Sequence, residues 1–264
     1  MANGFTLRPS VEALEKTPGG LDALRDAYGK MQALTDNRGW TYWAGIHGFP
    51  QFLCWHHGRV GSGSLLPYNL FLPWHRAYLH YWEHTARDQN SKMVLPWWDW
   101  TAAGSHTTGI PKSFTVKTVD GKKNSLASGP RPAMPGVPAG PTKRAPGSPA
   151  ALPTAAAVNA LMDLGNFVDL DVQLEDIHDN VHGWCGGDMG QVARAAFDPI
   201  FWSHHCMIDR IWYLWQLKNG INNIPDDYKD KPLAPFNLRV RDVLDINRLG
   251  YEYGHASSIV VTKT

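Results

Sequence analysis

The chain has 264 residues, 43% of them hydrophobic and 19% charged, which suits one soluble globular domain with a sizeable core. Twenty-five basic residues balance 24 acidic ones, for a net charge of +1 with no basic block, so neither nucleic acid nor an anionic membrane surface is implied as a partner. The start, MANGFTLRPSVEALEK, has no charged stretch followed by an apolar run, and no segment is long and apolar enough to span a bilayer. A cytoplasmic protein is the expectation, with export by a helper protein left open. The three cysteines, Cys54, Cys185 and Cys206, are an odd number and do not suggest a disulfide framework. Twelve histidines and 12 tryptophans stand out, and several tryptophans flank histidines. Most of those tryptophans are expected to fill a helical core.

In chain order, residues 21 to 34 place Leu21, Leu24, Tyr28, Met31 and Leu34 three or four apart, an amphipathic helix. Residues 58–68 (GRVGSGSLLPY) read as a Gly-rich loop. From Trp74 to about Asp88 no breaker occurs, and a second helix is predicted, stopping before LPWWDW at 95–100. Residues 127–153 are rich in Pro, Gly and Ala, and are read as a long surface excursion without regular structure. This excursion is placed within a single domain spanning 1–264, because histidine clusters lie on both sides of it. Helical pattern resumes near Thr154 and runs, past a break at Gly165, towards His182. The last strong helix is predicted to begin at Asp198-Pro199, since Asp is a favoured N-cap and Pro a favoured first residue. The fold class is mainly α.

The histidines carry the chemistry. HDNVH (His178 to His182) has i, i+4 spacing, which puts both rings on one helix face, roughly 40° apart at ~100° per residue. Asp179 after the first His departs from the zinc-protease motif, which has Glu there. In SHHC, His204 and His205 lie about 100° apart on one helix, so only one is expected to face a given metal. Asp209, four residues beyond His205, is placed to hold a donor near the site. His47 and CWHH (Cys54 to His57) supply further candidates. In FLPWHRAYLHYWEH, His80 and His84 form a second i, i+4 pair, whereas His75 lies about 140° from His80 and about 180° from His84. Either His75 or the pair faces a metal centre, and spacing alone does not choose.

FLPWHRAYLHYWE followed by DPIFWSHHCMIDRIW resembles the two copper signatures of tyrosinases and other type-3 copper polyphenol oxidases. LPWWDW, HDNVHGWCGGDM and Tyr251-Glu252-Tyr253 match further landmarks, so the likeness runs from about Leu21 to Tyr253. It implies a central antiparallel four-helix bundle with long irregular loops, carrying two copper ions. His47, His56 and His75 would bind the first and His178, His182 and His205 the second. His57, His80, His84, His106, His204 and His255 would not be ligands. Where the family usually keeps its second ligand for the first copper, this chain has Leu66. His56 is taken instead because Cys54-Trp55-His56 matches a Cys-x-His that some members link as a thioether, with His57 the alternative.

Six neutral imidazoles suit a centre cycling between Cu(I) and Cu(II) and taking O2 as co-substrate. The resemblance implies ortho-hydroxylation of monophenols and oxidation of o-diphenols to o-quinones, with tyrosyl side chains as further candidate substrates and no organic cofactor. A phenol has a pKa near ~10 and needs help to lose its proton. Glu175, three residues before His178, and Asp179 are the candidates for that task. Gly183, Met189, Val192 and Phe201 are expected to line the substrate pocket, with Phe71 also walling the centre. No C-terminal plug domain is expected beyond Tyr253, and a copper-delivery protein is an expected partner. Rival readings are a catechol or o-aminophenol oxidase, a non-catalytic oxygen carrier of the hemocyanin type, and a structural zinc protein built on HDNVH.

Overall fold

The computed structural model describes residues 6–50 and 69–254, and the backbone of two short strands at 59–60 and 64–65. Cys54, His56, His57, Leu66 and His255 lie outside the described residues, and with them the expected second ligand of the first copper and the thioether.

Strand β1 (Thr6–Arg8) leads into α1 (Val11–Lys16), α2 (Asp22–Ala33) and α3 (Trp40–His47). After the hairpin strands β2 (Arg59–Val60) and β3 (Ser64–Leu65) come the long α4 (Phe71–Gln89) and the short α5 (Ser105–Thr108). Two further hairpins follow, β4 (Thr118–Val119) with β5 (Lys122–Lys123), and β6 (Pro130–Arg131) with β7 (Gly140–Pro141). Then come α6 (Ala155–Leu161), α7 (Phe167–Cys185), α8 (Val192–Ala195), α9 (Ile200–Asn219), α10 (Asp226–Lys229) and β8 (Tyr251–Tyr253). None of these helices is long and apolar enough to cross a membrane.

The centre is helical, as expected. Leu24, Ala27, Tyr28 and Met31 form the buried stripe of α2, which packs on α4. Trp82 of α4 meets Trp202 of α9 face to face, with centroids 3.5 Å apart, while His75 stacks on His205 at 4.3 Å. As residue numbers rise along α4 they fall along α9, so the two helices are antiparallel. Phe167 against Trp212 and His178 against His205 give the same sense to α7 and α9. The tryptophans are core, as expected: Trp40, Trp74, Trp82, Trp97, Trp98, Trp100, Trp202, Trp212 and Trp215 are all buried.

Helices α4, α7 and α9 each start at a side-chain acceptor, which satisfies backbone N–H groups that the helix itself cannot. Asn166 Oδ1 accepts from Asp169 N (2.9 Å) at the head of α7, and Asp198 Oδ1 from Ile200 N (3.1 Å) at the head of α9. The first turn of α4 is capped twice, by Asn69 Oδ1 on Phe71 N (3.1 Å) and by Asp171 Oδ1 of α7 on Leu72 N (2.9 Å). That helix therefore starts at Phe71, three residues before the sequence reading. Pro73 is tolerated there because the first turn does not need its missing N–H. The second cap also ties the head of α4 to α7.

The Pro/Gly-rich stretch is less irregular than the sequence suggests. It carries the β6–β7 hairpin and is pinned down by Arg144, which pairs with Asp198 (2.7 Å) and donates to the carbonyl of Phe114 (2.6 Å). The tail also holds regular structure that the sequence did not announce, since β8 pairs in parallel with β1, Arg8 opposite Tyr253.

Candidate metal centre

Helices α3, α4, α7 and α9 each deliver histidines to one buried place. Two overlapping groups have ring donors within 4.8 Å of one another: His178, His182, His204 and His205, and His47, His75 and His205. Among the described residues, His47, His75, His178, His182 and His205 are thus brought together, and on α4 it is His75, and neither His80 nor His84, that joins these groups. His80 and His84 face away from this cluster.

The hydrogen-bond pattern shows what the cluster can hold. His75 Nδ1 lies 2.9 Å from the Phe71 carbonyl, and His182 Nδ1 lies 2.7 Å from the Met189 carbonyl. His178 Nδ1 lies 3.1 Å from Asp179 Oδ1. Each of these acceptors fixes the proton on Nδ1 and turns a bare Nε2 inward. His178 Nε2 and His182 Nε2 both sit 3.2 Å from His205 Nε2. One proton on His205 can serve only one of two lone pairs, so three convergent Nε2 atoms call for a cation. Nitrogens at that spacing can share an ion at metal–nitrogen distances of ~2.0–2.1 Å. Burial holds His182, His204 and His205 below the ordinary imidazole range, so these rings stay neutral and available as donors.

The turn after α7 makes this possible. Gly186 (φ 60°) and Gly187 (φ 58°) adopt the left-handed conformation that favours glycine, and swing Met189 back over His182. A Cβ on Gly187 would lie 2.3 Å from the Lys143 carbonyl, so the excursion at 127–153 closes on this turn.

Aromatic rings pack the cluster on its inner side. Phe201 lies 4.0 Å from His205 and 4.9 Å from His47, and Phe71 lies 4.8 Å from His75 and 4.7 Å from His178. Outward, a cavity of about 300 Å³ opens, lined by His47, Glu175, His178, Asp179, His182 and Val192 among others. Gly183 and Met189 also line it, and Val192 is 58% exposed at its edge. Phe201 lies behind the histidines and not among the cavity's lining residues.

Two expectations need correction. Asp209 does not hold a ligand. It accepts from Arg76 Nε (2.5 Å), Tyr251 OH (2.6 Å) and Tyr253 OH (2.5 Å), and pairs with Arg8 at 3.3 Å. One turn along α9 carries its carboxylate away from His205 and into this buried knot, which clamps α4, α9, β1 and β8 together. His204 is also closer to the metal cluster than helix geometry suggested. Its ring stacks on His178 (5.1 Å, 10° between planes), because the backbone direction of a side chain does not fix where a long ring ends.

Sequence reading missed Asn69. Its Nδ2 donates a short hydrogen bond to Glu175 Oε2, while its Oδ1 caps α4. An Asn just before a helix is a recognisable cap signal, but its second bond reaches a residue 106 positions away.

The common central domain of tyrosinase matches residues 37–157 and 141–218. An A-type hemocyanin of the octopus Enteroctopus dofleini is 27% identical over 95% of this chain, which spans 22% of that protein's length. The chloroplastic (+)-larreatricin hydroxylase of Larrea tridentata is also 27% identical, over 94% of this chain and 48% of its own. Among solved structures, an octopus hemocyanin functional unit superposes with a TM-score of 0.76 at 26% identity, covering 95% of this chain and 68% of that one. The tyrosinase of Burkholderia thailandensis shares the fold with a TM-score of 0.81 at 23% identity, covering 98% and 75%. The chain belongs to the tyrosinase family of type-3 copper proteins.

Proposed function

We propose that the chain is a tyrosinase, a dicopper oxidase that uses O2 to ortho-hydroxylate monophenols and to oxidise o-diphenols to o-quinones. The observation that carries this reading is the cavity of about 300 Å³ that opens directly on the histidine cluster, with a carboxylate, Glu175, in its wall. That volume lies at the lower end for small-molecule sites and suits a single aromatic ring. A pure oxygen carrier has no need of a ring-sized cavity beside its metals.

His178, His182 and His205 would hold one copper, and His47 and His75 would contribute to the other, with His56 proposed as its third ligand. When bound, the metals supply O2 binding and the two-electron chemistry. A monophenol and one O2 then give an o-quinone and one water, whereas two o-diphenols and one O2 give two o-quinones and two waters.

The chain's own groups position the substrate and handle its proton. Glu175 takes the phenolic proton, directly or through a water, with its carboxylate oriented by Asn69. Asp179 acts through His178, whose Nδ1 proton it accepts, and so keeps that ring's Nε2 pointed at the metal. Gly183 leaves open space above the site. Val192, at the rim, meets the outer part of the ring.

The hemocyanin-like carrier is the second reading, since hemocyanins are as similar in sequence as the plant hydroxylase. Oxygen uptake with tyrosine or tyramine, with no catechol added, separates the readings. Sustained uptake with quinone formation supports a tyrosinase. Uptake with catechols alone reduces the activity to that of a catechol oxidase, and no turnover with either leaves the carrier.

A further inference from the structure

The i, i+4 pair on α4 that the dicopper centre leaves unused has a geometry of its own. His80 and His84 have ring centroids 4.4 Å apart with 62° between their planes. The same spacing on α7 gives His178 and His182, at 4.3 Å and 73°, and those two rings belong to the metal cluster. One helix thus repeats, on its outer side, a donor arrangement that the other presents inward. We propose that His80 and His84 form a third metal site, which takes a divalent first-row transition ion from solution, Cu(II) most tightly.

Three further observations support this. His84 is exposed and His80 half-buried, so an ion reaches the pair from solvent and keeps open positions for water. Burial, then the neighbouring His84, lowers His80 to about 4, so a proton does not compete for its donor nitrogen at neutral pH. Arg8 also weighs on His80, but its charge is taken up by Glu83 at 2.7 Å and Asp209 at 3.3 Å. The preference for Cu(II) follows from the donor set, since two imidazoles rank divalent ions with copper at the top. With only two protein ligands the ion stays exchangeable. His84 lies about 180° round α4 from His75 and ~13 Å further along its axis, so this ion does not share the ligands of the centre.

The site stands or falls independently of the enzymatic reading. The test is equilibrium dialysis of the full chain, as purified with its own metals, against Cu(II), followed by metal counting. Wild type is expected to hold one more copper per chain than His84→Ala, and the same difference is expected for His80→Ala. A bound Cu(II) with nitrogen coupling in its electron paramagnetic resonance spectrum is expected to be lost in both variants and kept in His106→Ala. Equal copper counts in wild type and His84→Ala would overturn the proposal. So would a difference that appears only in His106→Ala. The readout is a difference of one ion, so it holds whether the central site carries two coppers, one or none. Failure of the tyrosinase reading therefore shows as missing phenol turnover and not as a missing peripheral ion.

Discussion

Asp209→Asn is the sharpest stability test of how the histidine helices are held in register. Wild-type Asp209 is buried and carries four contacts: Arg76 at 2.5 Å, Arg8 at 3.3 Å, and the hydroxyls of Tyr251 and Tyr253 at 2.6 and 2.5 Å. Arg8 keeps a second carboxylate, Glu83, but Arg76 has no other carboxylate partner among the described residues. The amide removes the charge with almost no change of shape, and so leaves one buried guanidinium uncompensated. Breaking a buried ion pair from one side costs roughly 3–5 kcal/mol. At about 2–4 °C per kcal/mol that is a fall in Tm of roughly 6–20 °C. Urea unfolding of the metal-free protein, followed by tryptophan fluorescence, measures it without the added stability that a bound metal brings. Burial alone would raise the Asp209 pKa, but Arg76 and Arg8 outweigh it and hold the group below the usual carboxylate range. The stabilisation is therefore present above the unfolded-state pKa of ~3.9 and lost as pH falls through the lower folded-state value. A loss under about 1 kcal/mol at pH 7, in the range of ordinary surface substitutions, would refute the assignment of this knot as the clamp between α4 and α9.

Four other outcomes follow from the geometry. His75→Ala is expected to lose phenol turnover and one copper, while His84→Ala keeps both the turnover and the two central coppers, as judged by metal content and oxygen uptake. Asn69→Ala frees the Glu175 carboxylate, and should lower kcat on monophenols at least tenfold while leaving kcat on catechols within about twofold, since a tenfold effect is ~1.4 kcal/mol of the barrier. An equal fall on both substrates would mean that Asn69 serves only as a helix cap. Trp82→Ala removes one partner of the 3.5 Å stack with Trp202, and should cost about 3–5 kcal/mol in the same urea assay. His80 is pushed down to about 4, so the unfolded chain binds its proton first. The metal-free protein should lose stability as pH drops from ~6.5 towards 4, with a shallower slope in His80→Gln.

Local signals in the sequence reached the helices and most of the centre. The cap at Asp198, the apolar stripe of α2 and the HDNVH spacing are all short-range patterns, and the structure follows each of them. The choice between His75 and the His80/His84 pair is different in kind. Both arrangements satisfy helix periodicity, and only the packing of α4 against α7 and α9 selects the face that turns inward. The same limit hid Arg8, whose partners Glu83, Asp209 and Tyr253 lie 75, 201 and 245 residues away. It also misplaced Asp209, where helix spacing suggested a ligand-holding carboxylate but the charges around it come from β1 and α4. The β1–β8 pairing was illegible because two three-residue strands at opposite ends carry no periodicity to read.

Copper content of the purified chain, combined with replacement of the one histidine common to both donor groups, tests the metal centre most directly. After surface-bound ions are removed with a mild chelator, two coppers per chain are expected in wild type and no more than one in His205→Ala. Zinc in place of copper, or a copper count that His205→Ala leaves unchanged, would contradict the assignment of this histidine cluster as a dicopper site.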